Sequence, residues 1–207
     1  NTTAISSDNA SNSTPQSFIT APAALDVAGP GTTLYLDSAA SDINPGAELE
    51  KELAFSRGGA SVDYVTNTTA SGTSIQATAS AGGTVLTWLS PPLDAVTIAG
   101  SIRVNVRGKE SANAANARRR ILIERTNGAG TVQSTIVALT NHGTEFTTTD
   151  AANSVWHITP TSTALSAGDR IKVTLYLGNV GTMGGSQTVT YSVAGPSEEA
   201  AGDTWLR

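Results

Sequence analysis

Histidine and cysteine, the residues that most often bind metals or take part in catalysis, are scarce in this sequence. The 207 residues contain two histidines and no cysteine, which excludes disulfides, thiolate metal sites, iron–sulfur clusters and cysteine nucleophiles within this stretch. His142 lies in a predicted turn and His157 in a short predicted strand beside Trp156, and no HExxH or HxH pattern supplies further ligands. We interpret both histidines as structural or solvent-facing, and we predict no metal site and no cofactor.

Hydrolysis without a metal would need a serine nucleophile or a pair of carboxylates. The GxSxG elbow that presents a nucleophilic serine is missing from the sequence. Two acids about 5 to 10 Å apart could cleave a glycosidic bond. No spacing singles out such a pair among the candidate glutamates Glu48, Glu50, Glu52, Glu110, Glu124 and Glu145. The sequence therefore predicts that the chain is not an enzyme.

Arginine forms the main charge cluster of the chain, at Arg118-Arg119-Arg120. In a strand, Arg118 and Arg120 point to one face and Arg119 to the other. Together with Arg103 and Arg107 on a predicted neighbouring strand, Arg118 and Arg120 would form an arginine-rich stripe. The net charge is -5, and arginine binds carboxylates well. We therefore expect the stripe to make salt bridges within the chain or with an adjacent subunit, and we predict no nucleic-acid partner.

Alternating apolar and polar residues, the pattern of half-buried strands, dominate the sequence from residue 32 onward. The clearest case is 96–107, which is predicted to be one long strand, and 170–177 and Gln187–Val193 repeat the pattern. Asn127-Gly128 predicts a hairpin turn. Turn residues rather than helices separate the strands, which predicts antiparallel sheets. Further strands are predicted at 33–36, 64–66, 75–79, 84–89, 119–126, 131–139, 145–148, 155–158 and 204–206.

Two segments have some helical character. Residues 45–55 place Leu49 and Leu53 on one helical face, which predicts one or two helical turns, whereas 111–117 is interpreted as a loop. The many evenly spaced strands favour an all-β fold, an antiparallel two-sheet β-sandwich of jelly-roll type. A single domain over residues 32–207 is the simplest partition.

Residues 1–31 are polar and small, and we predict that they form an extended N-terminal arm. They contain too few apolar side chains to fold alone. One interpretation is a flexible leader; the other is an arm that adds to a neighbouring subunit through four apolar anchors. No signal peptide and no run of about 18 apolar residues is visible, so we predict a soluble subunit without a membrane partner, whose start at Asn1 is processed or partial. The anchors are Phe18, Ile19, Leu25 and Val27.

The second half of the chain carries an ordered series of motifs. It runs from Trp88-Leu89-Ser90-Pro91-Pro92-Leu93 through the long predicted strand to the loop Gly108-Lys109-Glu110-Ser111-Ala112-Asn113-Ala114-Ala115-Asn116-Ala117. An arginine-rich strand, Leu165-Ser166-Ala167-Gly168-Asp169-Arg170 and Ala201-Gly202-Asp203-Thr204-Trp205-Leu206 follow. Over residues 84–207 this order resembles the β-sandwich virion structural proteins of tailed bacteriophages.

The resemblance implies a non-enzymatic subunit of a virus particle, either a capsid decoration protein or a tail or fibre component. Its partners would be other copies of itself, other virion proteins and a host-surface glycan, and its location the virion or another extracellular assembly. No ligand residues carry over from the resemblance.

Two alternatives stay open at this point. A carbohydrate-binding jelly-roll module would use exposed aromatic rings, although Trp88, Trp156 and Trp205 are each expected in the core. An extracellular filament or surface-layer subunit would assemble by exchange of the arm.

Overall fold

The fold is built from strands. The computed structural model describes residues 32–46, 48–56, 58, 61–68, 77–78, 80–81, 84–149, 151–152, 155–184, 187–193 and 204–207. Helical structure in these ranges is limited to the 3-10 turn Asn113–Ala115, and no helix there is long and apolar enough to cross a membrane. The strands are β1 (Leu34–Ala40), β2 (Leu49–Ala54), β3 (Val62–Thr68), β4 (Ala77–Thr78), β5 (Ser80–Ala81), β6 (Thr84–Leu89), β7 (Val96–Ile98), β8 (Ile102–Asn105), β9 (Arg107–Glu110), β10 (Ala117–Thr126), β11 (Val132–Glu145), β12 (Ala151–Ala152), β13 (Trp156–Ile158), β14 (Thr163–Leu165), β15 (Arg170–Asn179), β16 (Gln187–Val193) and β17 (Trp205–Leu206).

The described strands form an 11-stranded, a 4-stranded and a 2-stranded sheet. The 11-stranded sheet, here called the long sheet, has the order β11-β10-β15-β6-β2-β1-β17-β8-β13, with β4 beside β15 and β5 beside β6. The smaller sheets have the orders β12-β9-β16-β3 and β14-β7. Pairing is antiparallel apart from β2 and β6, which run parallel. The prediction of an all-β fold with antiparallel sheets is therefore confirmed at this level.

The hairpin predicted at Asn127-Gly128 is confirmed, and it joins β10 to β11. The Asn127 side-chain Oδ1 accepts hydrogen bonds from the backbone N–H of Ala129 at 3.1 Å and of Thr131 at 2.9 Å. Gly130 has a φ of 82°, in the left-handed region that glycine tolerates. The turn therefore depends on the Asn127 side chain and on Gly130, which lies two residues beyond the predicted dipeptide.

The prediction of one long strand over 96–107 is wrong, because this segment contributes to all three sheets. Gly100 has a φ of 84°, which ends the extended backbone between β7 and β8. β7 pairs with β14, β8 with β13 and β17, and β9 with β12 and β16. Ile98, Val104 and Val106 are buried as the alternation predicted, but Asn105 between the two valines is buried as well.

The predicted helical turns in 45–55 are also absent, since Leu49–Ala54 forms β2. This strand pairs with β1 on one side and β6 on the other. Hydrogen bonds to two neighbouring strands outweigh the local helical spacing of Leu49 and Leu53. β11 begins within the strand predicted at 131–139 and continues to Glu145, so His142 lies within a strand and not in a turn. The separate strand predicted at 145–148 is wrong, since only Glu145 of it is in a strand.

Aromatic side chains pack the 4-stranded sheet against the long sheet. Trp88 on β6 is fully buried, its Nε1 donates to the Asp37 carbonyl at 2.9 Å, and Tyr64 on β3 meets it edge-on at 6.2 Å. Tyr191 on β16 donates its hydroxyl to the Tyr176 carbonyl of β15 at 2.8 Å. These contacts join the sheets around a shared hydrophobic core, as predicted for Trp88.

Candidate functional site

Four adjacent strands of the long sheet place polar side chains on one face. Glu124 on β10 stands opposite Lys172 on β15. Two residues further along β15, Thr174 stands opposite Thr87 on β6, and Thr87 is in register with Glu50 on β2. Residues paired in register share a face, as do residues two apart along a strand. All five side chains therefore project from the same face of the long sheet.

Lys172 links this face to the segment that precedes β2. Its Nζ hydrogen-bonds the Glu48 carboxylate, and 13% of the Lys172 side chain and 38% of the Glu48 side chain are exposed. We call Glu48, Glu50, Glu124 and Lys172 the acidic cluster. The opposite face of the same strands carries Trp88 and Val173 into the core, so the acidic cluster lies on the side of the long sheet away from the packed aromatic side chains.

Burial raises the pKa of two carboxyls in the acidic cluster. The pKa of Glu50 is raised mainly by burial, and Glu48 adds to the shift while Lys172 opposes it. Burial also raises the pKa of Glu124, with Lys172 opposing and Glu48 reinforcing the effect. A carboxyl that keeps its proton to a higher pH can donate it during a reaction. The acidic cluster thus combines proton-holding carboxyls with a carboxylate that is ion-paired to lysine.

A second pair of acids lies where β9 and β11 end. Glu110 is 3% exposed, its Oε2 accepts from the backbone N–H of Ala117 at 3.0 Å, and burial together with a hydrogen bond to Glu145 raises its pKa. The structure therefore groups five of the candidate glutamates into two sets. Glu52, two residues from Glu50 on β2, lies on the same face as the acidic cluster, and burial raises its pKa, with Asp37 and Asp42 adding to the shift. Spacing could not reveal either set, because each joins strands that are distant in sequence.

The histidines have structural or surface positions, as predicted. His142 is 5% exposed, its ring meets Trp156 edge-on at 5.3 Å, and its Nδ1 accepts from the backbone N–H of Thr144 at 3.1 Å. Burial lowers the pKa of His142. His157 is exposed on β13. Within the described ranges, no group of three or more His, Asp or Glu side chains is arranged to hold a metal ion.

The arginines of the predicted stripe lie on three strands. Arg118 and Arg120 share a face of β10 and Arg119 is buried on the other, as the alternation predicted. Arg103 lies on β8 and Arg107 on β9, whereas the strands hydrogen-bonded to β10 are β11 and β15. Strand pairing therefore does not bring the four residues into one stripe, and salt bridges to another subunit stay a prediction.

The predicted arm anchors Phe18, Ile19, Leu25 and Val27 lie outside the described residues. The side chain of Trp205 also lies outside the described residues. Trp156 is partly buried and packs against the core.

Comparison with known proteins gives similarity of fold only. Neither a known protein family nor a curated protein matches the sequence. A selenomethionine-labelled α-amino acid ester hydrolase matches with a TM-score of 0.52 and 12% identity, over 84% of this chain and 35% of that chain. A CocE/NonD family hydrolase from Staphylococcus aureus matches with a TM-score of 0.48 and 10% identity, again over 84% and 35%. Infectious bursal disease virus, Gx strain, matches with a TM-score of 0.21, 13% identity, and 70% and 36% coverage.

These findings contradict the predicted non-enzymatic virion subunit and the prediction that the chain is not an enzyme. The match with a TM-score of 0.52 is to a hydrolase, and a TM-score of 0.21 to a virus structure is not a convincing match. The description as a phage virion protein is contradicted with it. The same holds for the two alternatives, the sugar-binding module and the filament subunit. The chain spans 35% of the length of the hydrolases it matches.

Two of the motifs behind the phage resemblance have a structural role. The Leu93 backbone N–H donates to the Asp169 carbonyl at 2.8 Å, and the Gly168 N–H donates to the Leu93 carbonyl at 2.8 Å. The Ser90 Oγ accepts from the Ile171 N–H at 2.9 Å. The Ser-Pro-Pro-Leu and Gly-Asp-Arg motifs thus bind each other where β6 ends and β15 begins, which gives both motifs a structural role.

Proposed function

We propose that this chain is a β-sandwich of jelly-roll type that serves as a module of an ester-hydrolysing enzyme. The observation that carries the proposal is the match of 84% of this chain to 35% of an α-amino acid ester hydrolase chain. That likeness supports the fold, and the activity is our extension of it. Self-association of the chain and an extracellular location, both expected from the sequence, stay predictions.

The acidic cluster is the part of the module that we assign to the reaction. Burial raises the pKa of Glu50 and Glu124, which favours the protonated acid that a leaving alcohol requires. Lys172 holds the Glu48 carboxylate next to them. A group that gives up a proton beside one that can accept it is the arrangement of general acid–base catalysis.

Depletion and add-back test the proposal. Ester hydrolysis is measured in the native preparation, with p-nitrophenyl acetate and an α-amino acid methyl ester, before and after removal of the chain with an antibody. We expect activity to fall on depletion and to return when recombinant chain is added. Adding Glu124→Gln should fail to restore activity, whereas Asp94→Asn, which removes the same charge at an exposed position, should restore it.

The two parts of the proposal fail separately. Unchanged activity after depletion would overturn the assignment to an ester-hydrolysing enzyme. Full restoration by Glu124→Gln would leave the module in place and overturn the role given to the acidic cluster.

A further inference from the structure

Residues 41–46 leave β1 and run along the face of the long sheet that carries the acidic cluster. At the near end, the Ser41 backbone N–H donates to the Glu50 carbonyl at 3.2 Å. At the far end, Pro45 packs against Gly130 in the turn between β10 and β11. The two residues are so close that a Cβ added to Gly130 would lie 2.5 Å from the Cγ of Pro45. The strand order between these points is β1, β2, β6, β15, β10. The segment, which we call the strap, therefore passes β2, β6 and β15.

Two ion pairs from β15 hold the strap in place. Arg170 donates from Nη1 and Nη2 to the two carboxylate oxygens of Asp42, at 2.5 Å and 2.7 Å. Lys172 binds Glu48, where the chain returns towards β2. Arg170 and Lys172 are two residues apart on one strand and so share a face. Asp42 is 57% exposed and Glu48 38%, which leaves both ion pairs open to solvent at one end.

Three polar side chains on this face, Thr87, Glu50 and Thr174, are closed to solvent, and we call them the floor. Thr87 is fully buried, Glu50 and Thr174 are each 4% exposed, and the Thr87 Oγ1 has no hydrogen-bond partner. Buried hydroxyl groups are rarely left without a partner. The unpartnered hydroxyl, in register with Glu50, indicates a site that water or a bound molecule completes when the cover is lifted.

We infer that the strap is a lid over the Glu50 side of the acidic cluster, and that release of the Asp42–Arg170 and Glu48–Lys172 ion pairs opens the floor to substrate. Each ion pair has a partly exposed carboxylate, so salt screens it. Arg170 also donates to the Ser90 and Gly128 carbonyls, and it can keep these hydrogen bonds when Asp42 leaves, so the lid can open without unfolding the sheet. On opening, the Thr87 hydroxyl would gain a hydrogen-bond partner. The role in substrate access rests on the proposed function, whereas opening of the strap can be tested without any substrate.

Carbodiimide labelling with glycinamide, read by mass spectrometry, reports whether Glu50 is accessible. Asp42→Asn and Glu48→Gln each remove one ion pair, and Asp94→Asn makes the same charge change away from the strap. We expect Glu50 to be labelled at least tenfold faster in Asp42→Asn than in Asp94→Asn, and faster in wild type at 1 M NaCl. Glu110, buried by other strands, should stay protected.

Each result decides the inference. Equal Glu50 labelling in Asp42→Asn and Asp94→Asn would overturn it. If the labelling rates of Glu50 and Glu110 rise together in Asp42→Asn, that variant unfolds generally and Glu48→Gln decides. Faster labelling of Glu50 alone in Glu48→Gln supports the lid. Faster labelling of both residues, or of neither, overturns it. Because the reaction uses no ester, failure here is independent of failure of the proposed hydrolytic function.

Discussion

The guanidinium carbon of Arg119 lies 4.0 Å from the centroid of the Phe146 ring, inside the hydrophobic core. Arg119 is only 2% exposed, and its Nε donates to the Val106 carbonyl at 2.8 Å. Burial lowers the pKa of Arg119 to about 10. Phe146 in turn meets Tyr191 edge-on at 5.6 Å. A buried cation thus lies between β10 and the aromatic side chains that join the sheets.

Replacing Arg119 by lysine should destabilise the protein more than replacing it by methionine. Lysine keeps the charge but loses the planar group that stacks on Phe146, and a buried ammonium is poorly solvated. We expect Arg119→Lys to lower the free energy of unfolding by about 3 kcal/mol and Arg119→Met by about 1 kcal/mol, the size of a cation–π contact. Urea denaturation measures both, with exposed Arg103→Met as a control. A larger loss in the methionine variant would contradict this account.

Gly108 on β9 has no room for a side chain. A Cβ at this position would lie 2.3 Å from the Thr190 carbonyl oxygen and 3.1 Å from Cε1 of Phe146. The first contact is with backbone in a paired strand, which cannot move without disturbing the 4-stranded sheet. We expect Gly108→Ala to lower the free energy of unfolding by about 2 kcal/mol or more. Gly143→Ala is the control, since nothing lies within 4 Å of its added Cβ. Equal free energies of unfolding for the two variants would show that neighbouring atoms move to make room at Gly108.

The fold was predictable from sequence where the evidence is local. Strands Thr84–Leu89 and Gln187–Val193 have the predicted bounds, because their alternation is regular and turns flank them. β2 was missed because only its pairing with β1 and β6 distinguishes a strand from the helical spacing of Leu49 and Leu53. The break at Gly100 was missed because glycine accepts both extended and left-handed backbone.

The acidic cluster could not be predicted for a different physical reason. Glu50 and Glu124 lie on β2 and β10, with β6 and β15 between them in the long sheet. Their common face depends on the register of three strand pairs, one of them parallel. Register is fixed by the packing of the whole sheet, so a list of glutamates in the sequence cannot identify which of them come together.

The Glu110–Glu145 pair should make stability depend on pH. Burial, with the hydrogen bond to Glu145, raises the pKa of Glu110 above its usual 4.5, so the folded state binds the proton more tightly than the unfolded state. The resulting stabilisation is complete below pH 4.5 and is lost as the pH rises through the raised pKa. Glu110→Gln should lose this part of the dependence and should equal or exceed wild type in stability at pH 7.

Thermal unfolding midpoints between about pH 4 and pH 8 measure the effect as a difference between Glu110→Gln and wild type. The difference is needed because the pKa values of Glu50, Glu52 and Glu124 are also raised and change stability in the same direction. Asp94→Asn serves as a control for the loss of one charge. Parallel curves for wild type and Glu110→Gln would mean that the proton bound by Glu110 does not contribute to the pH dependence of stability.

Ser90 tests the structural role of the motifs that resembled phage proteins. It is fully buried, its Oγ donates to the Pro91 carbonyl at 2.8 Å and accepts from the Ile171 N–H at 2.9 Å. Ser90→Ala would leave a buried N–H without its acceptor, so we expect the free energy of unfolding to fall by about 1–3 kcal/mol. Exposed Ser101→Ala should change it by less than about 0.5 kcal/mol. If urea denaturation gives equal values for the two variants, the contact between the motifs does not stabilise the fold, and the structural role given to them is wrong.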